Sequence, residues 1–206
     1  MLTSNPSIEA SLRLLHRWFL FKPEQDFINQ VQQTRWTDEW PYQTAAIVTV
    51  LTQTDASLRD DAFAVLERDY YRLFLGPGRA LAYPWGSVYT DKDNLLFGAT
   101  STRFQHFCQQ RGIELTLVGN QPWDHIGVQL AVLAELLQQG QSQAAAELLG
   151  EHLLPWAPTF FSLVKHHGGT DFYRGVAELA ELTLAQIAEQ GQVTVQPLPI
   201  HCPQIG

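Results

Sequence analysis

Apolar residues recur three and four positions apart through almost the whole of this 206-residue chain, and sustained two-residue alternation occurs only in the short run VTVQPLPI from Val193 to Ile200. A period near 3.6 gathers side chains on one face of a helix, whereas a half-buried strand needs a period of two. The pattern predicts an all-α fold. Ile8, Leu12, Leu15 and Phe19 form the first stripe, with Asn5 and Pro6 suited to the cap and first position of a helix over about 6 to 21. Shorter helices are expected at about 24 to 33 and, opened by Pro41, at about 41 to 53. Ser57 is placed as the cap of a long helix that buries Leu58, Phe63, Leu66, Tyr70, Leu73 and Phe74 until Gly76-Pro77-Gly78 stops it. The remaining helices are expected at about 99 to 111, ended by Gly112, and from Pro122 to Gly140. Others follow at about 142 to 152, 157 to 166 and 171 to 189, the last capped by Thr170 or Asp171. With no internal repeat, residues 1–206 read as one helical domain, and any seam falls between about 76 and 98.

Charge and composition narrow the partners. A net charge of -8 and a pI near 5.3 argue against a phosphate-backbone partner, which calls for a clustered basic surface. No window approaches the roughly 18 apolar residues of a membrane span, and the opening MLTSNPSIEASLRLLHRWFLF carries Glu9, Arg13, His16 and Arg17 among its apolar residues. It reads as an amphipathic helix and not as an export signal. Cys108 and Cys202 make neither a disulfide framework nor a metal-ligand spacing, so the cytoplasm is the expected compartment and no cofactor is expected.

The stretch from Tyr70 to Gly98 combines glycines and prolines with Tyr70, Tyr71, Phe74, Tyr83, Trp85, Tyr89 and Phe97. Each such ring can bury about 150 to 250 Å², so a loop of this kind either joins the core or offers a surface to a partner. Asp124, in the expected first turn after Pro122, can be a helix cap or a groove carboxylate that accepts a guanidinium. Gly127 and Ala131 share its face and leave room for another backbone. His125 and Asp124 point about 100° apart on a helix and cannot simply chelate one ion together. Gly86-Ser87 lacks the G-x-S-x-G nucleophile pattern, and Gly76-Pro77-Gly78 is neither a P-loop nor a dinucleotide turn. From Gly112 to Val164 there is no Lys or Arg, while Glu114, Asp124, Glu135, Glu147 and Glu151 are present. Such a lobe can steer a basic peptide or can simply be a solvated acidic face.

The segments Tyr71-Arg72-Leu73-Phe74-Leu75-Gly76-Pro77, Pro84-Trp85-Gly86-Ser87-Val88-Tyr89 and Asn94-Leu95-Leu96-Phe97-Gly98 resemble the TorD/DmsD family of redox-enzyme maturation chaperones, its DmsD branch in particular. Asn120-Gln121-Pro122-Trp123-Asp124-His125-Ile126-Gly127 resembles the family's second signature, written E-P-x-D-H, and His152-Leu153-Leu154-Pro155-Trp156 with Phe172-Tyr173 fits its C-terminal pattern. Gln121 replaces the acid that usually opens the second signature, and Tyr89 stands where relatives carry Trp. The resemblance implies a TorD-like helical bundle with a long aromatic-rich Gly/Pro loop between its N-terminal and C-terminal helices. It also implies a cytoplasmic chaperone, not an enzyme, that binds the twin-arginine signal peptide of a molybdoenzyme precursor of the DMSO or TMAO reductase type. Export is then delayed until the cofactor is inserted. The Tat translocase and cofactor-insertion proteins are further implied partners, and the implied state is a monomer or a domain-swapped dimer.

By the same resemblance, the peptide groove comprises Tyr70, Leu73, Phe74, Trp85, Ser87, Tyr89, Asp91, Phe97, Gln121, Pro122, Trp123, Asp124 and His125. Two other functions are weighed against it: a helical metal-dependent phosphohydrolase using His125, Asp124 and His152, and a helical adaptor for a folded partner.

Overall fold

The computed structural model describes residues 2–76, 78–115, 119 and 121–203. Helix α1 (Pro6–Leu20) begins where Asn5 accepts a hydrogen bond from Ser7 N at 2.9 Å, and α2 (Gln25–Gln32) follows. Pro41 does not open the third helix. Thr44, extended and accepting from Ile47 N, starts α3 (Ala45–Asp60) three residues later, where its hydroxyl satisfies an otherwise unpaired first-turn amide.

Ser57 lies inside α3 and does not cap a new helix: its hydroxyl binds Asp61 and accepts from Phe172 N at 2.9 Å. Asp61 and Ala62 are extended, which ends α3 and lets α4 (Phe63–Tyr70) restart. A π-helical turn, Tyr71–Leu75, continues α4 up to Gly76, whose φ of +51° turns the chain. A Cβ at Gly76 would stand 2.9 Å from Arg79 O, so glycine is required there for two reasons. Pro77, in the expected helix-stopping triplet, lies outside the described residues.

After an irregular segment come α5 (Gly86–Thr90), which the periodicity does not announce, and α6 (Ala99–Gln110). Helix α7 (Ile126–Gln138) starts four residues beyond Pro122, and α8 (Ser142–Glu147) passes into a second π turn at Leu148–Leu153. Helices α9 (Ala157–His167) and α10 (Asp171–Gly191) complete the bundle, α10 being capped by Thr170, which accepts from Tyr173 N. Gly112 and Gly140 take the left-handed conformation expected of helix-ending glycines. The run from Val193 is irregular and joins no strand among the described residues.

Helix α1 packs along α7, and α10 packs between α3 and α9. Contact is closest at small residues: a Cβ on Gly127 would meet Leu20 Cβ at 2.9 Å and His16 O at 3.1 Å. The space beside Gly127 is thus filled by the chain's own α1 and is not open to a partner backbone. One apolar cluster runs from Leu2 to Ile187, with Phe19, Tyr70, Phe74, Phe160 and Tyr173 in mutual ring contact at its centre. Asp69, buried below Tyr70, accepts from Gly169 N, Thr170 N and the Thr170 hydroxyl at 2.8 to 2.9 Å and from Arg72, which pins the start of α10 to α4. No helix among the described residues is long and apolar enough to cross a membrane.

Candidate functional site

The two signature segments meet face to face. Residues 84–86 and 124–126 form an antiparallel bridge, Trp85 opposite His125, in which Gly86 N donates to Asp124 O at 3.1 Å and Ile126 N donates to Pro84 O at 2.8 Å. Gly86 is required by its other neighbour, because a Cβ there would lie 2.7 Å from the Trp156 indole. Trp156 in turn stacks on Tyr89 at 5.8 Å and donates through Nε1 to His152 O.

Asp124 does not sit in the first turn of α7, and it does not face a groove. It precedes the His125 cap and is 0% exposed. Its Oδ2 accepts from Ser87 N at 2.5 Å and from the Thr100 hydroxyl at 2.9 Å, while Oδ1 stands 3.4 Å from Ser87 Oγ. The carboxylate therefore holds the Ser87 amide at the start of α5 and reaches α6, and Thr100 passes the network on to Thr90 at 3.0 Å. Burial pushes its pKa up, and the hydrogen bonds from Thr100 and Ser87 oppose that rise.

His125 accepts from Gly127 N at 3.0 Å through Nδ1, which leaves the ring proton on Nε2. Burial, with His16 nearby, lowers its pKa to about 3, so the imidazole is neutral at physiological pH. His16 donates through Nδ1 to Gly127 O at 2.8 Å, and burial lowers its pKa as well. The Trp85 ring meets His125 edge to face at 5.4 Å, and its Nε1 is buried without a hydrogen-bond partner. His152 is not part of this set: it packs on Phe104 and Phe107. Among the described residues no group of three or more His, Cys, Asp or Glu side chains is placed to hold a metal ion.

The structure divides the expected groove residues into three sets. Trp85, Ser87, Asp124 and His125 come together, with Pro122 buried and Gln121 and Trp123 half-buried beside them. Tyr70, Leu73 and Phe74 belong to the central core, and Tyr89 is sealed under Trp156, so none of these four offers a free face in this conformation. Asp91 and Phe97 lie on a separate rim. There Asp91 Oδ1 accepts from Asp93 N, and Asn94 donates to Val88 O, fixing a loop in which Asn94 and Phe97 have φ of 54° and 62°. The loop turns outward Leu95, Leu96 and Phe97, which are 59%, 43% and 49% exposed. A left-handed phenylalanine is a strained placement. Tyr71 and Leu75, in the same π turn as the core ring Phe74, are also exposed. Asn120, which opens the second signature, lies outside the described residues.

Sequence reasoning missed Thr100, Ser101 and His16. Ser101 Oγ accepts from Trp123 N at 2.9 Å, so α6 holds both residues that flank Pro122 to Asp124 in the fold. The hydroxyl run Thr100-Ser101-Thr102 was the only local signal, and it is weak without knowledge of what faces it.

A family model described as the nitrate reductase delta subunit matches residues 35–162. The Tat proofreading chaperone DmsD of Salmonella typhi is 31% identical over 191 residues, covering 93% of this chain and 94% of the relative. The chaperone protein TorD of Aliivibrio salmonicida is 29% identical over 150 residues, covering 67% of this chain and 70% of the relative. Among solved structures, a candidate redox enzyme maturation protein from Archaeoglobus fulgidus superimposes with a TM-score of 0.57 at 18% identity, covering 87% of this chain and 93% of that one.

Proposed function

We propose that this chain, which belongs to the TorD/DmsD family of chaperones, binds the twin-arginine signal peptide of a molybdoenzyme precursor in the cytoplasm and delays export until the cofactor is inserted. The observation that carries this reading is the rim of Leu95, Leu96 and Phe97, held outward beside the half-buried Asp91 and the exposed Asp93. A signal peptide of this class joins two arginines to an apolar segment, and the apolar rim suits that segment. Asp91 and Asp93 flank Lys92, and Asp93 lines a cavity with Lys92 and Arg79, so charge there only orients the peptide. In this reading Trp85, Trp123, Asp91 and Phe97 contact the peptide. Ser87, Tyr89, Pro122, Asp124 and His125 hold these residues in place, with Gln121 beside them, and Tyr70, Leu73 and Phe74 stay in the central core.

Magnitudes favour apolar contact over charge. Covering roughly 400 Å² of apolar surface yields on the order of 10 kcal/mol gross, from which ordering the peptide removes about 2 to 5 kcal/mol or more. Exposed arginine–carboxylate pairs add only about 0 to 1 kcal/mol each, so they select and orient. The apolar cluster that joins α1 to α10 supports treating the chain as one domain. Transfer of the client to the translocase and to cofactor-insertion proteins belongs to the same reading.

Titration calorimetry with a twin-arginine peptide tests it. Micromolar or tighter binding is expected, with a large loss when the apolar segment is replaced by Ser and Gly and a smaller loss when both arginines become lysine. A peptide whose apolar segment can be replaced without loss contradicts the reading.

A further inference from the structure

The chain leaves α10 through Gln192, whose φ is +51°, and residues 193–203 then run from Gly150 to Tyr89 and Asn94, beside the rim. Their hold is made at the backbone. Gln196 N donates to Gly150 O at 2.8 Å, His201 N donates to Tyr89 O at 2.7 Å, and the Asn94 side-chain amide donates to His201 O at 2.8 Å. Gly150 suits this passage, since a Cβ there would stand 2.6 Å from Thr194 O. Val193 packs on the core, but Pro197, Pro199, Ile200 and Cys202 are exposed. A cavity of about 530 Å³ opens beside the last of these residues, lined by Arg79, Tyr83, Lys92 and Asp93 together with His201 and Pro203.

We propose that residues 197–203 are a displaceable strap: held by the Tyr89 carbonyl and the Asn94 side-chain amide, they lie on the path that an extended part of the client signal peptide takes, so the strap must leave when the client binds. The inference rests on the signal-peptide reading above. Backbone pairing is indifferent to side chains, so one extended chain can replace another at the same partners. Asn94, which grips the strap, is followed directly by the exposed Leu95, Leu96 and Phe97. Residues 197–203 contain no Lys or Arg and leave Leu95, Leu96 and Phe97 uncovered, whereas a signal peptide brings an apolar segment that can cover them. Exchange of strap for client therefore adds contacts that the strap cannot make.

Two measurements test this. Peptide affinity is compared between the full chain and a chain ending at Gln196, which keeps Val193 on the core and the bond to Gly150. Exchange of the His201 amide hydrogen is followed in the full chain with and without peptide, a readout that does not depend on how the shortened chain folds. If the strap is docked about nine-tenths of the time, its removal tightens binding roughly tenfold, and the His201 amide loses protection when peptide is added. Unchanged affinity in the shortened chain, together with a His201 amide that stays protected in the complex, would overturn the strap and leave signal-peptide binding intact. Absence of peptide binding by both chains removes the reading itself and the strap with it.

Discussion

Truncating the Asp124 side chain separates an internal tie between α5 and α6 from a direct contact with a client arginine. In Asp124→Ala, Ser87 N and the Thr100 hydroxyl lose their shared acceptor inside a fully buried site. Hydrogen bonds to a charged group contribute about 1.5 to 3 kcal/mol each. Thr100 retains Thr90 at 3.0 Å, and the carboxylate's own desolvation, seen in its raised pKa, offsets part of the loss. The net expectation is a destabilisation of about 2 to 4 kcal/mol. Asp124→Asn keeps an oxygen for both donors and turns its NH2 toward Ser87 Oγ, so it costs about 1 kcal/mol. Urea unfolding followed by tryptophan fluorescence measures both variants, and calorimetry with a twin-arginine peptide measures what remains of binding. The internal-tie account expects Asp124→Asn to bind peptide within about twofold of the parent. If Asp124→Ala were as stable as the parent while Asp124→Asn bound no peptide, Asp124 would be a direct arginine partner and the account would be wrong.

Other consequences are open to simple tests. Phe97→Gly relieves a left-handed phenylalanine and should raise stability by about 1 kcal/mol while weakening peptide binding, so a gain in both would contradict the rim assignment. Gly127→Ala drives a Cβ against Leu20 and the His16 carbonyl, and thermal melting should show a loss of about 1 to 3 kcal/mol. His125 and His152 are held at pKa values of about 3 and about 4, below the unfolded value, mainly by burial. The unfolded chain therefore binds more protons below pH 6.5, and stability falls as the pH drops from about 6.5 toward 4. Near pH 5 the two histidines together account for about 4 kcal/mol at most, opposed by the raised pKa of Asp124. Urea midpoints between pH 7 and 5 measure this slope, and His125→Asn, which keeps an oxygen acceptor for Gly127 N, should remove about half of it.

Helices with a clear apolar stripe and a side-chain cap were legible from the sequence, as α1 with Asn5-Pro6 and α10 with Thr170 show. The break between α3 and α4 was not, because Asp61 and Ala62 turn the chain without glycine or proline and Ser57 carries the cap chemistry into a tertiary contact with Phe172. Composition showed that residues 70 to 98 hold a large aromatic area. It could not show that Tyr70, Phe74 and Tyr89 face inward while Phe97 faces out, since that depends on a π turn and a left-handed loop with no periodic signature. The sequence marks Asp124 as a carboxylate that is either a cap or a groove residue, but its partner Thr100 lies 24 positions away, in a helix whose hydroxyls look like ordinary surface residues.

On the proposed reading, a signal peptide docks on the rim around Phe97 and not in the buried Asp124 network. Backbone hydrogen exchange across the whole chain, with and without a saturating twin-arginine peptide, locates the contact directly. Changes confined to residues 94–98, Trp85, Trp123 and the 197–203 segment are the predicted result. A footprint centred elsewhere, such as the 320 Å³ apolar cavity between α1, α2 and Trp40, with the rim unaffected, would contradict it.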